Sequence, residues 1–395
     1  MRPTPPSLLG HDERLQKSGL RVVTWLFVVV LNLNAAKAQF PQAPTLAVGA
    51  QILNLPSTTN EFAASVALLD DIDGDGGSEF AIGMPVSGFP NGPFNYDGTV
   101  TVYSSQSMAP IYQLFGLPGT NQLLGRRMRI IGDVDGDGFR DLALLTNTTS
   151  SPSSLTPSIR LASGLTGAPI YTIVYPSSIS NHLYVAAMSD VDGDGVADFA
   201  VGNGDGPVAG SGVLGGVIEV RSGATGSLLS AIGGSVFQQG VGIGLICPGD
   251  IDNDGYDDLC CWCFATAGQS FLSRNVQIYR YTPGQLTLQY QYTGLSNVTP
   301  YNYPDLPSPA GDVDQDGCAD FMFGGSGSGV VTGALGLPAP VEVHSGATGQ
   351  IIRQLANPGS PTNKFGFVSA QLGDVNGDGF RDLEIVEYTE NYGST

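Results

Sequence analysis

Lysine is almost missing from this chain. Among 395 residues only Lys17, Lys37 and Lys364 are lysines, and only His11, His182 and His344 are histidines. Against 16 basic residues stand 36 acidic ones, for a formal charge of −20. A surface so poor in cations cannot neutralise a run of phosphates, which excludes nucleic acid as a partner. It suits metal cations instead. The same scarcity bears on catalysis. Beyond residue 38 there are two histidines, one lysine, and neither a Gly-x-Ser-x-Gly nor a His-Glu-x-x-His segment. With no placed base, acid or nucleophile visible, the expectation is a chain that is not an enzyme.

Long helices and long apolar runs are also lacking. The 55 glycines and 26 prolines favour turns, while a hydrophobic content of 42% still permits a core. The one sustained apolar stretch, Val22–Leu31, falls well short of the roughly 20 residues of a spanning helix. Arg14, Lys17 and Arg21 precede it, and Ala36-Lys37-Ala38 follows as a small-x-small cleavage site. Residues 1–38 therefore read as a secretory signal, which places the chain outside the cell, on its surface or in a periplasm, with no membrane span after cleavage. Five cysteines are too odd a number for a fully paired framework. Both a link from Cys247 to the Cys260, Cys261 and Cys263 cluster and a set of buried free thiols, with Cys318, remain open.

What the chain does have is repetition. Six segments read DIDGDGGSE from Asp71, DVDGDGFRD from Asp133, DVDGDGVAD from Asp190, DIDNDGYDD from Asp250, DVDQDGCAD from Asp312 and DVNGDGFRD from Asp374. Their starts are about 60 residues apart. Positions 1, 3, 5 and 9 are Asp71, Asp73, Asp75 and Glu79; Asp133, Asp135, Asp137 and Asp141; Asp190, Asp192, Asp194 and Asp198; Asp250, Asp252, Asp254 and Asp258; Asp312, Asp314, Asp316 and Asp320; and Asp374, Asn376, Asp378 and Asp382. A hairpin turn alone gives no reason to crowd four like charges into nine residues, where they repel unless a cation intervenes. Alternate carboxylates on a curled loop, a glycine at position 6 and a carbonyl at position 7 supply six or seven hard oxygens, which suits Ca²⁺ better than Mg²⁺. The expectation is about one Ca²⁺ per loop, up to six.

An EF-hand loop begins the same way but needs Glu at position 12 and helices on both sides. Here position 12 is Ile82, Leu144, Val201, Cys261, Phe323 or Ile385, so the chain leaves each loop as a buried strand. Apolar strand-length runs flank every loop, a turn such as Ser222-Gly223-Ala224-Thr225-Gly226 follows the third, and a fourth segment resembling Gln350–Leu355 comes next. Four short strands per repeat make a propeller blade, and blades bury their faces by standing in a ring. The predicted fold is thus all-β, a β-propeller of four-stranded antiparallel blades, six by length, over residues 39–395. The N-terminal segment Gln51–Leu55 is expected to close the ring by joining the blade begun by Phe365–Tyr388.

At these loops the chain resembles the FG-GAP repeat family, the repeat of the integrin α-subunit propeller and of many bacterial secreted proteins. Phe365-Gly366, with Leu124-Gly125 and Val241-Gly242 as variants, and Gly83-Met84-Pro85 carry the rest of the likeness. The resemblance implies calcium that rigidifies the ring and a non-catalytic extracellular binding or adhesion scaffold for a protein or glycan ligand. It also leaves seven blades, the integrin number, as the alternative. A calcium-dependent polysaccharide lyase or hydrolase, or a structural surface component, is the competing reading. Two surface features stand out: tyrosines Tyr279, Tyr281, Tyr290, Tyr292, Tyr301 and Tyr303, and the basic group Arg126, Arg127 and Arg129, which could hold an acidic substrate.

Overall fold

The computed structural model describes residues 29–31, 63–86, 96–147, 156–175, 183–207, 214–235, 239–264, 274–292, 307–324, 341–356, 364–371 and 382–388. Among them every regular element is a strand. A short strand β1 (Val29–Leu31) comes first. Blade 1 is β2 (Ser65–Leu68), β3 (Phe80–Met84), β4 (Thr99–Tyr103) and β5 (Pro110–Phe115); blade 2 is β6 (Arg127–Ile130), β7 (Leu142–Asn147), β8 (Pro157–Ala162) and β9 (Pro169–Val174). Blade 3 is β10 (Leu183–Ala187), β11 (Phe199–Asn203), β12 (Val217–Arg221) and β13 (Leu228–Gly233). Blade 4 is β14 (Ile243–Gly249), β15 (Asp258–Phe264), β16 (Arg274–Thr282) and β17 (Gln285–Tyr292), and blade 5 is β18 (Ser308–Gly311), β19 (Asp320–Gly324), β20 (Val341–His344) and β21 (Ile351–Leu355). Each of these five sheets is antiparallel, with its strands in chain order. The architecture is β-propeller-like, as the repeat predicts.

A sixth sheet has three strands, in the order β1, β23 (Leu383–Tyr388), β22 (Lys364–Gln371). A short strand from within the expected leader joins the last sheet. Val29–Leu31 pairs antiparallel with Leu383–Ile385, whereas Gln51–Leu55 lies outside the described residues. So does the rest of the expected leader, residues 1–38.

The first strands stand side by side in series, β2 by β6, β6 by β10, β10 by β14, β14 by β18 and β18 by β22. The core accordingly forms as layers between blades. One layer joins Ala81, Val100 and Val102 of blade 1 to Met128, Leu142 and Leu144 of blade 2. Others join Ile159 and Leu161 to Phe199 and Val201, Ile218 and Val220 to Leu259 and Cys261, Ile278 and Trp262 to Phe321, and Val341 and Val343 to Leu383 and Ile385. An aliphatic side chain fully removed from water this way contributes about 1.5–3 kcal/mol. A single sheet has no second layer to cover it, so the blades stabilise one another.

Two further contacts stitch neighbouring blades. Gly83 of β3 backs onto the carbonyl of Gly125, and Gly202 of β11 onto that of Gly242, so closely that a Cβ at either position would overlap it. Gly125 and Gly242 have φ of 87° and 92°, open to glycine at little steric cost. In blades 1 and 3 a glycine near the end of the second strand therefore meets the glycine before the next blade, which gives the two short motifs a common purpose there.

The second stitch is a tyrosine. Tyr112 of blade 1 donates its hydroxyl to the carbonyl of Gly164 in blade 2 at 2.6 Å, and Tyr171 of blade 2 to Gly223 of blade 3 at 2.6 Å. Tyr290 and Tyr292 of blade 4 reach Ala347 and Gly349 of blade 5, each at 2.7 Å. The tyrosines that stand out in the sequence are thus structural where described. Tyr290 and Tyr292 are latches, and Tyr279 and Tyr281 are buried in the layer between blades 3 and 4. Tyr301 and Tyr303 lie outside the described residues. All five cysteines are free thiols, with Cys260, Cys261, Cys263 and Cys318 buried, so the Cys247 link is not formed.

Candidate metal centres

Each of the five described loops joins the first and second strands of a blade, and its own backbone organises its acids. The position-1 carboxylate sits at the hub. Asp133 accepts the N–H groups of Gly136 at 2.7 Å, Asp137 at 3.1 Å and Gly138 at 2.8 Å. Asp71, Asp190, Asp250 and Asp312 take the equivalent position-6 amides, Gly76, Gly195, Gly255 and Gly317, at 2.8–3.1 Å. Those position-6 glycines have φ of 89–93°, as the sequence predicts. Position 4 is left-handed too. Gly74, Gly136 and Gly193 meet that need, but Asn253 and Gln315 adopt φ of 58° and 63°, a conformation uncommon for residues with a Cβ. Sequence inspection missed this, although the alternation of Gly with Asn and Gln at that position was the visible signal.

The carboxylate oxygens converge. Those of Asp71, Asp73, Asp75 and Glu79 lie within 4.8 Å of one another, as do those of Asp133, Asp135 and Asp141; of Asp190, Asp192 and Asp194; of Asp250, Asp252 and Asp254; and of Asp312, Asp314 and Asp316. Asp374, Asn376 and Asp378 of the sixth loop lie outside the described residues, and Asp382 is buried.

Position 9 differs from the others. Glu79, Asp141, Asp198, Asp258 and Asp320 are completely buried. One oxygen of Asp141 accepts the Val134 amide at 2.7 Å and the other the Gly164 amide, from the turn after the third strand, at 2.9 Å. Asp198, Asp258 and Asp320 repeat this with Val191 and Gly223, Ile251 and Tyr281, and Val313 and Gly346. Burial pushes the Asp141 and Asp320 carboxyls up to about 6 and that of Asp258 up to about 7, against the pull of those amides. Burial raises Asp198 and Glu79 as well. Position 9 is thus first a clasp between loop and turn. Among the described residues its oxygens join the converging set in loops 1 and 2, through Glu79 and Asp141.

These residues fit a hard divalent cation. Glu79 takes the Ile72 amide on Oε2 at 2.6 Å, while its Oε1 is buried with no hydrogen-bond partner beside Asp71, Asp73 and Asp75. An isolated buried carboxylate oxygen is strongly unfavourable, and a cation at the convergence point removes the penalty. Position 5 is held from the turn: the hydroxyls of Ser104, Ser163 and Ser345 donate to Asp75, Asp137 and Asp316 at 3.1, 3.0 and 3.5 Å.

Loop 4 is built differently. The residue aligned with those serines is Arg280, and its guanidinium reaches Asp252 Oδ2 at 2.7 Å and Asp254 Oδ2 at 2.9 Å. Asp252 Oδ1 is buried without a hydrogen-bond partner. The adjoining seam is also unusual. Ser230 stands where Tyr112 and Tyr171 stand in blades 1 and 2, and a groove of about 540 Å³ runs there between Asp190, Asp192 and Leu229 on one side and Asp254, Tyr256 and Tyr281 on the other.

The inner strands hold the basic group. Arg127 of β6 donates to the Leu183 carbonyl of β10 at 3.3 Å and lies 5.1 Å from the centre of the Tyr184 ring. Arg129, two residues along on the same face, is exposed, and its Nη1 donates to the neighbouring Met128 carbonyl at 3.2 Å. Crowding by protein and then the Arg127 charge lower its pKa. Of the two late histidines, His344 is buried in a stack with Phe323 at 4.6 Å and Phe321 at 5.6 Å; His182 lies outside the described residues.

No family model and no curated protein matches the chain. Solved structures do. It is similar to a rhamnogalacturonan lyase of Bacillus licheniformis (14% identity, 80% of this chain and 65% of that one, TM-score 0.38) and to the rhamnogalacturonan lyase YesW (14%, 79% and 64%, 0.37). The exotype rhamnogalacturonan lyase YesX is a third (13%, 75% and 67%, 0.35). The chain thus spans about two thirds of each of these proteins. The expectation of a chain that is not an enzyme is corrected by these neighbours, which are lyases. Two absent motifs and scarce histidine and lysine do not exclude catalysis, because neither is a requirement of every catalytic site. At this identity and TM-score the likeness transfers no activity and no residue.

Proposed function

We propose that the protein is a secreted, calcium-locked β-propeller whose ligand outside the cell is an acidic polysaccharide. The convergence of hard oxygens at repeated hairpins, with the buried Glu79 Oε1 among them, carries the calcium reading. Positions 1, 3 and 5 of each fitting loop, with Glu79 and Asp141, are the ligands in this reading, and the loop spacing agrees with the FG-GAP resemblance. Calcium accepts the six to eight oxygens at varied geometry that such a loop offers. Bound there, it offsets the repulsion among the acids and ties the first two strands to the turn after the third.

The test is thermal unfolding with calcium and with EDTA. Each site stabilises the fold by about 2.7 kcal/mol when calcium stands at 100 times its dissociation constant. An unchanged midpoint, with no calcium found by elemental analysis, defeats the reading.

For the ligand, the Arg127 and Arg129 pair is the supporting observation. Two guanidiniums on one strand face repel each other and draw a carboxylate, which arginine binds through paired donors. Calorimetric titration with polygalacturonate should show binding, a neutral polymer none, and Arg129→Ala a loss of affinity. The same mixtures monitored for unsaturated uronate product report cleavage. Equal behaviour of the acidic and neutral polymers overturns the acidic-ligand reading.

A further inference from the structure

The six loops read alike in sequence, yet the acids of loop 4 already face a guanidinium from the turn after the third strand. In blades 1, 2 and 5 the residue that opens the turn after the third strand is a serine, whose neutral hydroxyl supports the position-5 aspartate from outside. In blade 4 the turn reads Arg280-Tyr281-Thr282-Pro283-Gly284. The alignment is set by structure, because the Tyr281 amide binds Asp258 at 2.7 Å as the Gly164, Gly223 and Gly346 amides bind their own position-9 aspartates. Arg280 therefore occupies the serine position.

We infer that loop 4 takes Arg280 in place of calcium, so that the protein binds one Ca²⁺ fewer than its repeats suggest. Arg280 Nε and Nη2 engage one oxygen each of Asp252 and Asp254, at 2.7 and 2.9 Å. These are the position-3 and position-5 groups that a metal needs. The bond from Nη2 to Asp254 is charge-assisted, the strong class of hydrogen bond, and the contact of Nε with Asp252 is an ion pair. A divalent cation entering loop 4 has to break both, and then share the site with a like charge. Asp252 Oδ1 and the Asp250 carboxylate remain, but beside a resident guanidinium they fall short of the six to eight oxygens that calcium takes. The loop still folds like the others: Asp250 takes the Gly255 amide at 2.8 Å, and Asp254 takes the Tyr256 amide at 3.0 Å. An internal cation thus does the shaping that calcium does elsewhere. This inference rests on the calcium reading of the remaining loops.

The experiment counts calcium per chain, by elemental analysis after equilibrium dialysis at a concentration that saturates the wild type. Arg280→Ser installs the residue found in blades 1, 2 and 5 and should raise the count by one. In the otherwise native chain, Asp252→Asn with Asp254→Asn should leave the count unchanged. Asp192→Asn with Asp194→Asn, in loop 3, should lower it by one. Equal counts for the wild type and Arg280→Ser, or the loss of one calcium from the Asp252 and Asp254 variant, overturn the inference while leaving calcium in the other loops intact. A wild type that binds no calcium refutes the calcium reading and this inference with it.

Discussion

Replacing Asp141 with alanine separates the two tasks of a loop carboxylate. Asp141 is fully buried and accepts the Val134 and Gly164 amides on different oxygens. Alanine leaves both N–H groups buried without a partner. At about 1–3 kcal/mol for each orphaned group, the loss is about 2–6 kcal/mol. Asparagine keeps one acceptor, so Asp141→Asn should lose about half as much. None of this needs a metal, so the measurement is urea unfolding in EDTA. Asp135, at position 3 of the same loop, is exposed. In EDTA, Asp135→Ala should change stability by no more than about 0.5 kcal/mol, yet in calcium it should remove the stabilisation that loop 2 gains from the ion. If Asp141→Ala is as mild as Asp135→Ala in EDTA, the clasp is not what holds the loop to the turn, and the account of position 9 is wrong.

Other expectations concern the seams. Arg140 of blade 2 binds Asp70 of blade 1 at 2.7 Å with the arginine half exposed, so Arg140→Ala should lower stability by about 0.2–1 kcal/mol, the loss shrinking in high salt. Tyr171→Phe, which strands the Gly223 carbonyl, should lower it by about 0.5–1.5 kcal/mol in denaturant titration. Gly202→Ala drives a methyl into the Gly242 carbonyl and should destabilise by about 1–3 kcal/mol; a neutral result removes the glycine seam from the account. Thiol labelling of the unfolded, unreduced chain should find all five cysteines reactive, with Cys260, Cys261 and Cys263 protected in the native protein.

Blades were legible in the sequence because two periodicities coincide: six loops at a constant spacing, and strand-length apolar runs between them. The apolar twelfth position correctly turned each loop into a hairpin between strands. What sequence could not show was which pairs of blades touch through which atoms. The tyrosine latches span about 50 residues, as from Tyr112 to Gly164, and side-chain alternation on a strand looks the same whether a tyrosine meets solvent or a carbonyl. The position-9 acids were read as ligands like the rest, because burial by the following turn depends on a contact about 23 residues away. Arg280 was passed over for the same reason: it lies outside the nine-residue loop it serves. The expected closing strand, Gln51–Leu55, lies outside the described residues, and the pairing of Val29–Leu31 with Leu383–Ile385 has no counterpart in the repeat pattern.

The glycine contacts have an evolutionary consequence. Where Gly83 meets Gly125, and Gly202 meets Gly242, the junction is backbone against backbone. No side chain there has to match a particular partner. A duplicated or deleted repeat can then meet its new neighbour through backbone at these two seams, leaving only the apolar layer beside them to match. Variation in blade number across related genes should occur in whole units of about 60 residues, with cut points at these glycines.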